Sequence, residues 1–278
     1  MTALLALLEL PNETAIARAA VDALQLEVRT YPKPGLVSHV DNGAHDDMDW
    51  ELLHRSAAVL EPYFANLASA GAAAAPMVRL RAIGMAAERA MLAATHGVNT
   101  HRGAIFGLGL LCAAAGFRTR YARLQSLGSI VVALWRSDIL DGPIALQSHG
   151  ATVSLRHGAG GARAEAAQGF PSLYDHALPA LDEGRALALG DEEAARVHAC
   201  MRLIATVEDT NLLYRGGRTG LAFAQSQAIR FLERGGVGAD DWPARAFAIH
   251  EAFVARRLSP GGCADLLAMA LFAREMGE

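Results

Sequence analysis

Apolar side chains recur every three or four residues along most of this chain, which is the spacing of α-helices with one buried face. In the range 12–29, for example, Ile16, Ala20, Ala23 and Glu27 share one stripe, and the range begins with an asparagine, a common helix cap. The same spacing predicts further helices near Trp50–Ala70, Met77–Ala94, Gly103–Ala115, Tyr121–Ser137, Asp191–Val207, Leu221–Arg234, Trp242–Arg257 and Gly262–Met276.

Strand patterns are nearly missing from the sequence. The one short candidate, Ile130–Leu134, lies inside a helical pattern, and Asp138–Ser154 reads as irregular. The sequence therefore predicts an all-α fold, a single multi-helix globular domain over residues 1–278.

Composition narrows the classes of protein. Of the 278 residues 52% are hydrophobic and 19% charged, which is typical of a globular chain with a large core. A net charge of −4 argues against a general nucleic-acid surface. Three widely spaced cysteines without a CxxC motif indicate reduced thiols, and hence a cytoplasmic protein.

The N-terminal segment, MTALLALLEL, is apolar but lacks a basic region, and Pro11 follows it directly. We interpret it as a short packing helix and not as a signal peptide, and such a segment can pack in a homodimer. No run of residues reaches the length of apolar sequence that a membrane span needs.

The stretch from Glu27 to Met48 differs from the rest of the chain in being rich in Pro, Gly, His and Asp. Lys33 is the only lysine of the sequence and lies between Pro32 and Pro34. The two prolines stiffen the loop, so that Lys33 has a defined direction. We predict a phosphate contact; the alternative is a surface lysine left by chance. Glu27, on its apolar stripe, is either functional or one half of a structural ion pair.

Five polar segments interrupt the apolar helices: Glu27–Met48, Thr95–Gly109, Gln147–Pro171, Glu208–Gly217 and Leu258–Ala268. In any one segment, turns explain the glycines, and hydrogen bonds within the core explain the histidines. Five such segments in one chain favour a functional site. Together they contain the carboxylates Glu27, Asp47, Glu165, Asp209 and Asp265 and the cations Lys33, Arg102, Arg163 and Arg215. This mixture is typical of a site for Mg²⁺ and a polyphosphate, although no Walker A motif is present. We therefore expect the five carboxylates to converge on one cavity.

Two helix starts in these segments carry candidate binding groups. We expect Thr100 to cap the helix that begins near Gly103, so that its free N–H groups form an anion site with His101 and Arg102. Ser259 is predicted to cap the last helix, since a proline follows it at the first helical position.

The motifs PKPGLV, NGAHDDM, GVNTHRGAIFGLG, GGARAEAAQGFP, DTN and SPGGCADLL, in this order, resemble the triphosphoribosyl-dephospho-CoA synthase family. The resemblance covers about residues 13–275. Arg102 stands where a lysine is expected, and Ser38 where many members have Asp. The family makes the prosthetic-group precursor of citrate lyase or malonate decarboxylase, and it is largely helical.

The resemblance implies that ATP and 3′-dephospho-CoA are the substrates. The 2′-hydroxyl of dephospho-CoA would attack C1′ of the ATP ribose, adenine would leave, and the product would pass to a carrier-protein-modifying enzyme. For this chemistry we predict Glu27 as the base, with Asp47 and Glu165 next in rank. Predicted ligands of Mg²⁺ are Asp47, Glu165, Asp209 and Asp265. Predicted substrate contacts are Lys33, Asn42, His45, Asn99, His101, Arg102, Arg163, Asn211, Arg215 and Ser259.

Two other classes of function remain open from the sequence. A Mg²⁺-dependent hydrolase of a nucleotide or N-glycoside would use the same carboxylates to activate water, and would release adenine or phosphate without an acceptor. A non-catalytic helical scaffold would show no change of melting temperature with nucleotide.

Overall fold

The chain was analysed as a computed structural model, which describes residues 11–143 and 160–278. Its regular elements in chain order are α1 Glu13–Arg29, α2 Trp50–Val59, α3 Glu61–Ala72, α4 Met77–Ala94, α5 Arg102–Arg120, α6 Leu127–Asp141, α7 Gly161–Ala167, a π-helical turn Ser172–Ala177, α8 Leu178–Leu187, α9 Glu192–Thr206, α10 Thr210–Glu233, a 3₁₀ turn Gly236–Gly238, α11 Trp242–Val254 and α12 Gly261–Glu275. These described ranges contain no strand, so the predicted all-α class is confirmed for them. The assignment of residues 1–278 to one domain stays a prediction.

Helices α5 and α12 lie at the centre of the molecule. Every residue of α5 from Gly107 to Gly116 is buried, so this part of the helix is enclosed on all sides. Helix α12 packs against α1, α5 and α9, and α3 runs along α5. One continuous hydrophobic core joins them, from Ile16 to Ala273.

The contact between α3 and α5 depends on two glycines. A Cβ atom at Gly71 would lie 1.8 Å from the carbonyl oxygen of Ala113, and one at Gly116 would lie 2.0 Å from that of Ala68. Only residues without a Cβ let the two backbones approach this closely. This contact fixes α5, and with it the start of α5 that reaches the site described below.

Several predicted helix bounds are corrected. The predicted helix Trp50–Ala70 is divided at Leu60, because Pro62 begins a new helix in its first turn. The predicted helix Tyr121–Ser137 begins only at Leu127, where the side chain of Ser126 caps it. The helix predicted for Leu221–Arg234 starts at Thr210, and Gly217 interrupts it with φ of +60°.

Other elements were missed or fall outside the described ranges. The helical turns over 161–187 were not predicted from the sequence. Of the stretch predicted as irregular, 138–141 belongs to α6 and 144–154 lies outside the described residues, as does the N-terminal packing segment 1–10. In the part of the chain that is described, no helix combines the length and hydropathy needed to cross a membrane.

Candidate active site

The five polar segments meet at one cavity of about 1800 Å³ among the described residues. The end of α1, the loop after it, and the starts of α5, α7, α10 and α12 all contribute to its wall. The predicted residues that line it are Glu27, His45, Asp47, Asn99, His101, Arg102, Arg163, Glu165, Asp209, Asn211, Arg215, Ser259 and Asp265. The expectation that the five carboxylates converge is thus confirmed, whereas the role of each residue stays a prediction.

Lys33 does not line this cavity, contrary to what a phosphate contact requires, but lies behind its wall. Its side chain is only 1% exposed, and its ammonium contacts the carboxylate of Glu27, which is 7% exposed. Burial raises the pKa of Glu27, and the neighbouring Lys33 ammonium opposes that rise. Glu27 is thus one half of a buried ion pair, as one of its two interpretations predicted. The same residue also lines the cavity.

The loop that carries Lys33 is held in place from α11. His250 Nδ1 lies 2.7 Å from the carbonyl oxygen of Lys33, and its Nε2 lies 3.2 Å from Asp41 Oδ1. Gly35 adopts φ of +67°, and a Cβ atom there would lie 2.0 Å from the carbonyl oxygen of Leu258. The loop after α1 is thus fixed against the segment that precedes α12.

Asp209 joins the starts of two helices. Its Oδ1 accepts hydrogen bonds from the backbone N–H groups of Asn211 (2.7 Å) and Leu212 (3.0 Å) at the start of α10. Its Oδ2 accepts from the N–H of Cys263 (2.8 Å) in the first turn of α12. Burial raises the pKa of Asp209, while these three donors favour the carboxylate. Its oxygens are committed to the fold, so a role as metal ligand is not favoured.

Asp265 lies against the first turn of α5. A Cβ atom at Gly103 would be 2.0 Å from Asp265 Oδ2, so the missing side chain of Gly103 makes room for this carboxylate. The N–H of Ala104 donates to Asp265, in a position where the helix dipole favours an anion. Burial and the nearby charges of Glu27 and Asp209 raise its pKa well above the ordinary value. The three carboxylates therefore form one anionic region of the cavity wall.

The start of α5 differs from the prediction in one detail. Thr100 does not cap this helix. Its Oγ1 lies 2.6 Å from Ser56 Oγ, and the N–H of Arg102 donates instead to Asn99 Oδ1 (3.2 Å). His101 is 5% exposed and its Nδ1 lies 2.8 Å from Ser56 Oγ. Burial lowers the pKa of His101 to about 4, so its imidazole is neutral at pH 7.

A second polar group lies where the loop after α1 meets α10. His45 Nε2 is 2.9 Å from Ser259 Oγ, and its Nδ1 is 3.4 Å from Asp47 Oδ1 and 3.2 Å from a terminal nitrogen of Arg215. Burial and the charge of Arg215 lower the pKa of His45, and Asp47 opposes this. Ser259 thus contacts a histidine and does not cap α12, whose cap residue is Pro260.

Arg163 and Glu165 line the cavity, but their side chains are hydrogen-bonded to other parts of the protein. The guanidinium of Arg163 donates to the carbonyl oxygens of Ile139 and Gly142, at the end of α6. Both carboxylate oxygens of Glu165 accept from Ser172, at 2.7 Å from its N–H and 3.1 Å from its hydroxyl. Burial raises the pKa of Glu165. Through these contacts, both residues help to hold α7 in place.

The remaining predicted contacts divide into two. Asn42 lies apart from the cavity, at a surface depression of about 220 Å³ that it shares with Asp46 and Asp47. Asn211 lines the cavity, and a Cβ atom at Gly261 would lie 2.6 Å from its Nδ2. Asn211 is therefore placed to orient a ligand, whereas Asn42 is not.

Within the described ranges, no group of three or more His, Cys, Asp or Glu side chains is arranged to hold a metal ion. This does not conflict with Mg²⁺, which usually takes one or two carboxylates together with substrate phosphates. Asp47 and Asp265 are the predicted ligands whose oxygens are least used by the protein, with one described contact each.

Sequence reasoning missed part of the wall. Arg81, Gly84 and Glu88 of α4 line the cavity, and Glu88 forms an ion pair with Arg102. Their spacing of three and four residues marks one helix face. That signal was available, but α4 carries no unusual motif, so nothing in the sequence connected this face to the polar segments.

Comparison with known proteins agrees with the motifs. The family model described as CitG, ATP:dephospho-CoA triphosphoribosyl transferase, matches residues 13–278. A 2-(5″-triphosphoribosyl)-3′-dephosphocoenzyme-A synthase of Pectobacterium atrosepticum is 43% identical over 266 residues, 91% of this chain and 86% of that protein.

Two probable synthases of the same name are similar to the chain over comparable lengths. The one from Pseudomonas fluorescens is 42% identical, covering 92% of this chain and 89% of the relative, and the one from Pseudomonas putida is 40% identical, covering 95% of each. No solved structure matches the chain significantly. On the family match over 13–278 and these identities, the chain is a transferase that belongs to the ATP:dephospho-CoA triphosphoribosyl transferase (CitG) family.

Proposed function

We propose that this enzyme joins ATP to 3′-dephospho-CoA and releases adenine, giving 2′-(5″-triphosphoribosyl)-3′-dephospho-CoA. The 2′-hydroxyl oxygen of dephospho-CoA forms a bond to C1′ of the ATP ribose as the bond from C1′ to adenine breaks. The hydroxyl proton passes to a carboxylate, and adenine takes up a proton as it leaves. The triphosphate stays on the transferred ribose.

The observation that carries this proposal is the convergence of carboxylates and cations from five separate segments on one cavity of about 1800 Å³. A site for one small molecule is typically about 300–1,000 Å³. The larger volume supports two nucleotide substrates bound together, which a transfer between them requires. A hydrolase of one nucleotide would not need this space.

Glu27 remains the first candidate for the base. It faces the cavity from the end of α1, and its burial raises its pKa toward the range in which a carboxylate accepts a proton effectively. The Lys33 ammonium beside it favours the ionised form that a base needs at neutral pH. Asp47 and Glu165 follow, but Glu165 already accepts two hydrogen bonds from Ser172.

Charge complementarity for the phosphates would come from Arg102 and Arg215, whose side chains reach the cavity from α5 and α10. Mg²⁺, proposed as the cofactor, would be held by Asp265 and Asp47, and it would neutralise phosphate charge. Its fit rests on the donor set, because Asp265 and Asp47 both line the cavity with one described contact each, and Mg²⁺ usually takes one or two carboxylates together with substrate phosphates. Asn99, Asn211 and the neutral His101 would orient hydroxyl groups.

Mass spectrometry of the products tests the reaction directly. Purified enzyme with ATP, Mg²⁺ and dephospho-CoA should give the triphosphoribosyl adduct and one adenine for each adduct. Incubation without dephospho-CoA should give neither adenine nor phosphate, and intact CoA serves as the control acceptor. Adenine or phosphate release without an acceptor would instead identify a hydrolase.

The product is proposed to serve the acyl carrier subunit of malonate decarboxylase, or of citrate lyase, through a carrier-protein-modifying enzyme in the cytoplasm. The support is the resemblance of the sequence motifs. Supplying the purified product to each apo-carrier with its modifying enzyme, and following the carrier mass, would distinguish the two.

A further inference from the structure

Residues of α4 and α5 together form one part of the cavity wall, which we call the side arm. On α4 the arm is lined by Leu80, Gly84 and Met85, and on α5 by Phe106 and Leu110. Its lining on α4 runs from Met77 to Glu88, eleven helical steps of 1.5 Å, which is about 16 Å. This part of the wall is thus elongated along the two helices.

Gly84 is the unusual residue of this arm. It stands in the middle of α4, where glycine costs about 1 kcal/mol of stability relative to alanine. At Gly71 and Gly116, by contrast, the backbone of a neighbouring helix leaves no room for a side chain. A Cβ atom at Gly84 would meet no described protein atom within 4 Å, so packing between described residues does not account for it. The open space beside Gly84 belongs to the cavity that this residue lines, and it leaves room for a ligand.

The character of the arm changes along its length. Where it opens into the central cavity, Arg102 and Glu88 form an ion pair, and the predicted phosphate contact Arg102 is at this point. Farther along, the wall is apolar: Leu80 and Leu110 are buried, Phe106 is partly exposed and Met85 is 50% exposed. One guanidinium, that of Arg81, lies beyond Gly84 and Met85 as seen from Glu88, where it donates to the carbonyl oxygen of Asp138 (3.2 Å).

We propose that this arm binds the pantetheine chain of the acceptor substrate, so that Gly84 and Met85 determine the affinity for that substrate and not for ATP. This rests on the proposed function. The triphosphate of ATP is excluded from the arm, because moving several charges against apolar side chains is very unfavourable. The pantetheine chain is long, uncharged and largely apolar, and its amide carbonyls can accept from Arg81.

The order of groups in dephospho-CoA matches the order along the cavity. Its reacting ribose belongs beside the carboxylates, its pyrophosphate follows next to Arg102, and its pantetheine chain continues past Gly84. The acceptor therefore spans both regions, and ATP uses the central cavity alone.

Calorimetric titration of dephospho-CoA and of ATP against three proteins tests this. Gly84→Phe fills the arm from a position with free space, and Ala82→Phe is the matched control, because it adds the same ring to an exposed position of α4 that does not line the cavity. We expect Gly84→Phe to weaken dephospho-CoA binding about tenfold or more, with ATP binding within twofold of wild type. Ala82→Phe should bind both ligands as the wild type does.

Met85→Glu provides a second, independent variant at a half-exposed side chain, and it decides the question if Gly84→Phe does not fold. It should show the same selective loss, since a carboxylate in the arm disfavours an apolar chain. Unchanged dephospho-CoA binding in the folded variants would overturn the proposal, and so would equal losses for ATP and dephospho-CoA. A wild-type enzyme that binds both ligands but forms no adduct would instead contradict the proposed function and leave the arm as the binding site.

Discussion

At the scale of single residues, the site is built from charged and polar groups that are largely removed from water. Lys33 and Glu27 are the strongest case, because both side chains are almost fully buried and each is the described charge partner of the other. Removing one partner of such a pair costs about 3–5 kcal/mol, since the other charge is left buried and uncompensated.

The first prediction separates the structural role of Glu27 from its catalytic one. Glu27→Gln should lower the free energy of unfolding by about 3 kcal/mol, because Lys33 keeps its charge. The double variant Glu27→Gln with Lys33→Met should recover most of this loss, since no buried charge remains. Turnover should fall by about 10²–10⁴ in both variants if Glu27 is the base.

Denaturant unfolding and single-turnover rates measure the two effects. Recovery of stability without recovery of rate would agree with a base. Full recovery of the rate in the double variant would show that Glu27 serves the fold only, and Asp47 would then rank first.

The second prediction concerns His101. Its pKa is lowered to about 4 by burial, against an ordinary value near 6.5, so the unfolded chain binds more protons than the folded one between these pH values. Stability should therefore be full above about pH 6.5 and fall as the pH decreases toward 4, by up to about 3 kcal/mol from this group.

His101→Gln keeps a polar group near Ser56 and removes the titration, so its stability should change less between pH 6.5 and pH 4.5 than that of wild type. Urea unfolding at several pH values gives both curves. Parallel curves would show that His101 does not have the lowered pKa.

The residue scale also shows what the sequence could and could not predict. That Glu27 would be buried followed from its place on the stripe of Ile16, Ala20 and Ala23, because helical spacing alone determines a shared face. Lys33 was correctly expected to be held in a defined direction. Its partner was predicted wrongly, because the direction depends on how the loop folds back on α1, which spacing along the chain does not encode.

At the scale of elements, close packing of backbones positions the site. Gly71 and Gly116 let α3 and α5 touch, and the far end of α5 then places Gly103 against Asp265. Asp209 connects α10 to α12 through hydrogen bonds at the starts of both helices. The cavity wall is thus formed by the starts of several helices, and packing elsewhere along these helices fixes their positions.

The third prediction uses two glycines in helices with opposite surroundings. Gly116→Ala should destabilise the fold by about 2 kcal/mol or more, because a Cβ atom there would lie 2.0 Å from the carbonyl oxygen of Ala68. Gly84→Ala should instead stabilise it by about 0.4–1 kcal/mol, since space is available and alanine favours the helix. Thermal melting of the two variants beside wild type measures both, and equal shifts would contradict this account of α3 and α5.

Helix existence was more predictable than helix bounds. Met77–Ala94 was predicted to the residue, because its stripe is regular and Pro76 precedes it. The division at Leu60 was missed although Pro62 signals it, since a proline in the first turn was read as part of one longer helix. The interruption at Gly217 and the turns over 161–187 depend on tertiary contacts and on glycines at positive φ, which periodicity does not reveal.

At the scale of the whole molecule, segments far apart in sequence form one cavity because α1, α5, α10 and α12 share one core. Five polar segments in an otherwise apolar helical chain already predicted this convergence, since polar groups on core-facing positions need a common space. Which of them face the ligand was not predictable: Arg163 and Asp209 hold backbone groups, and only the folded arrangement distinguishes such contacts from free ones.

The last prediction is that ligands stabilise the whole fold through this cavity, and that the metal matters for one of them. A ligand at about a hundred times its Kd adds roughly 2.7 kcal/mol, which raises Tm by about 5 °C in a chain of this size. ATP with Mg²⁺ should give such a shift, and EDTA should reduce it, because the proposed ligands Asp265 and Asp47 would bind the triphosphate through the cation. Dephospho-CoA carries fewer charges and binds largely through the side arm, so EDTA should affect its shift little. Asp265→Asn removes a proposed ligand of Mg²⁺, so its ATP shift should be nearly the same with and without EDTA. Differential scanning fluorimetry of wild type and Asp265→Asn, with each ligand and with or without EDTA, measures all of these. Absence of any nucleotide shift would favour a non-catalytic scaffold, and an ATP shift that ignores EDTA in the wild type would remove Mg²⁺ from the proposed site.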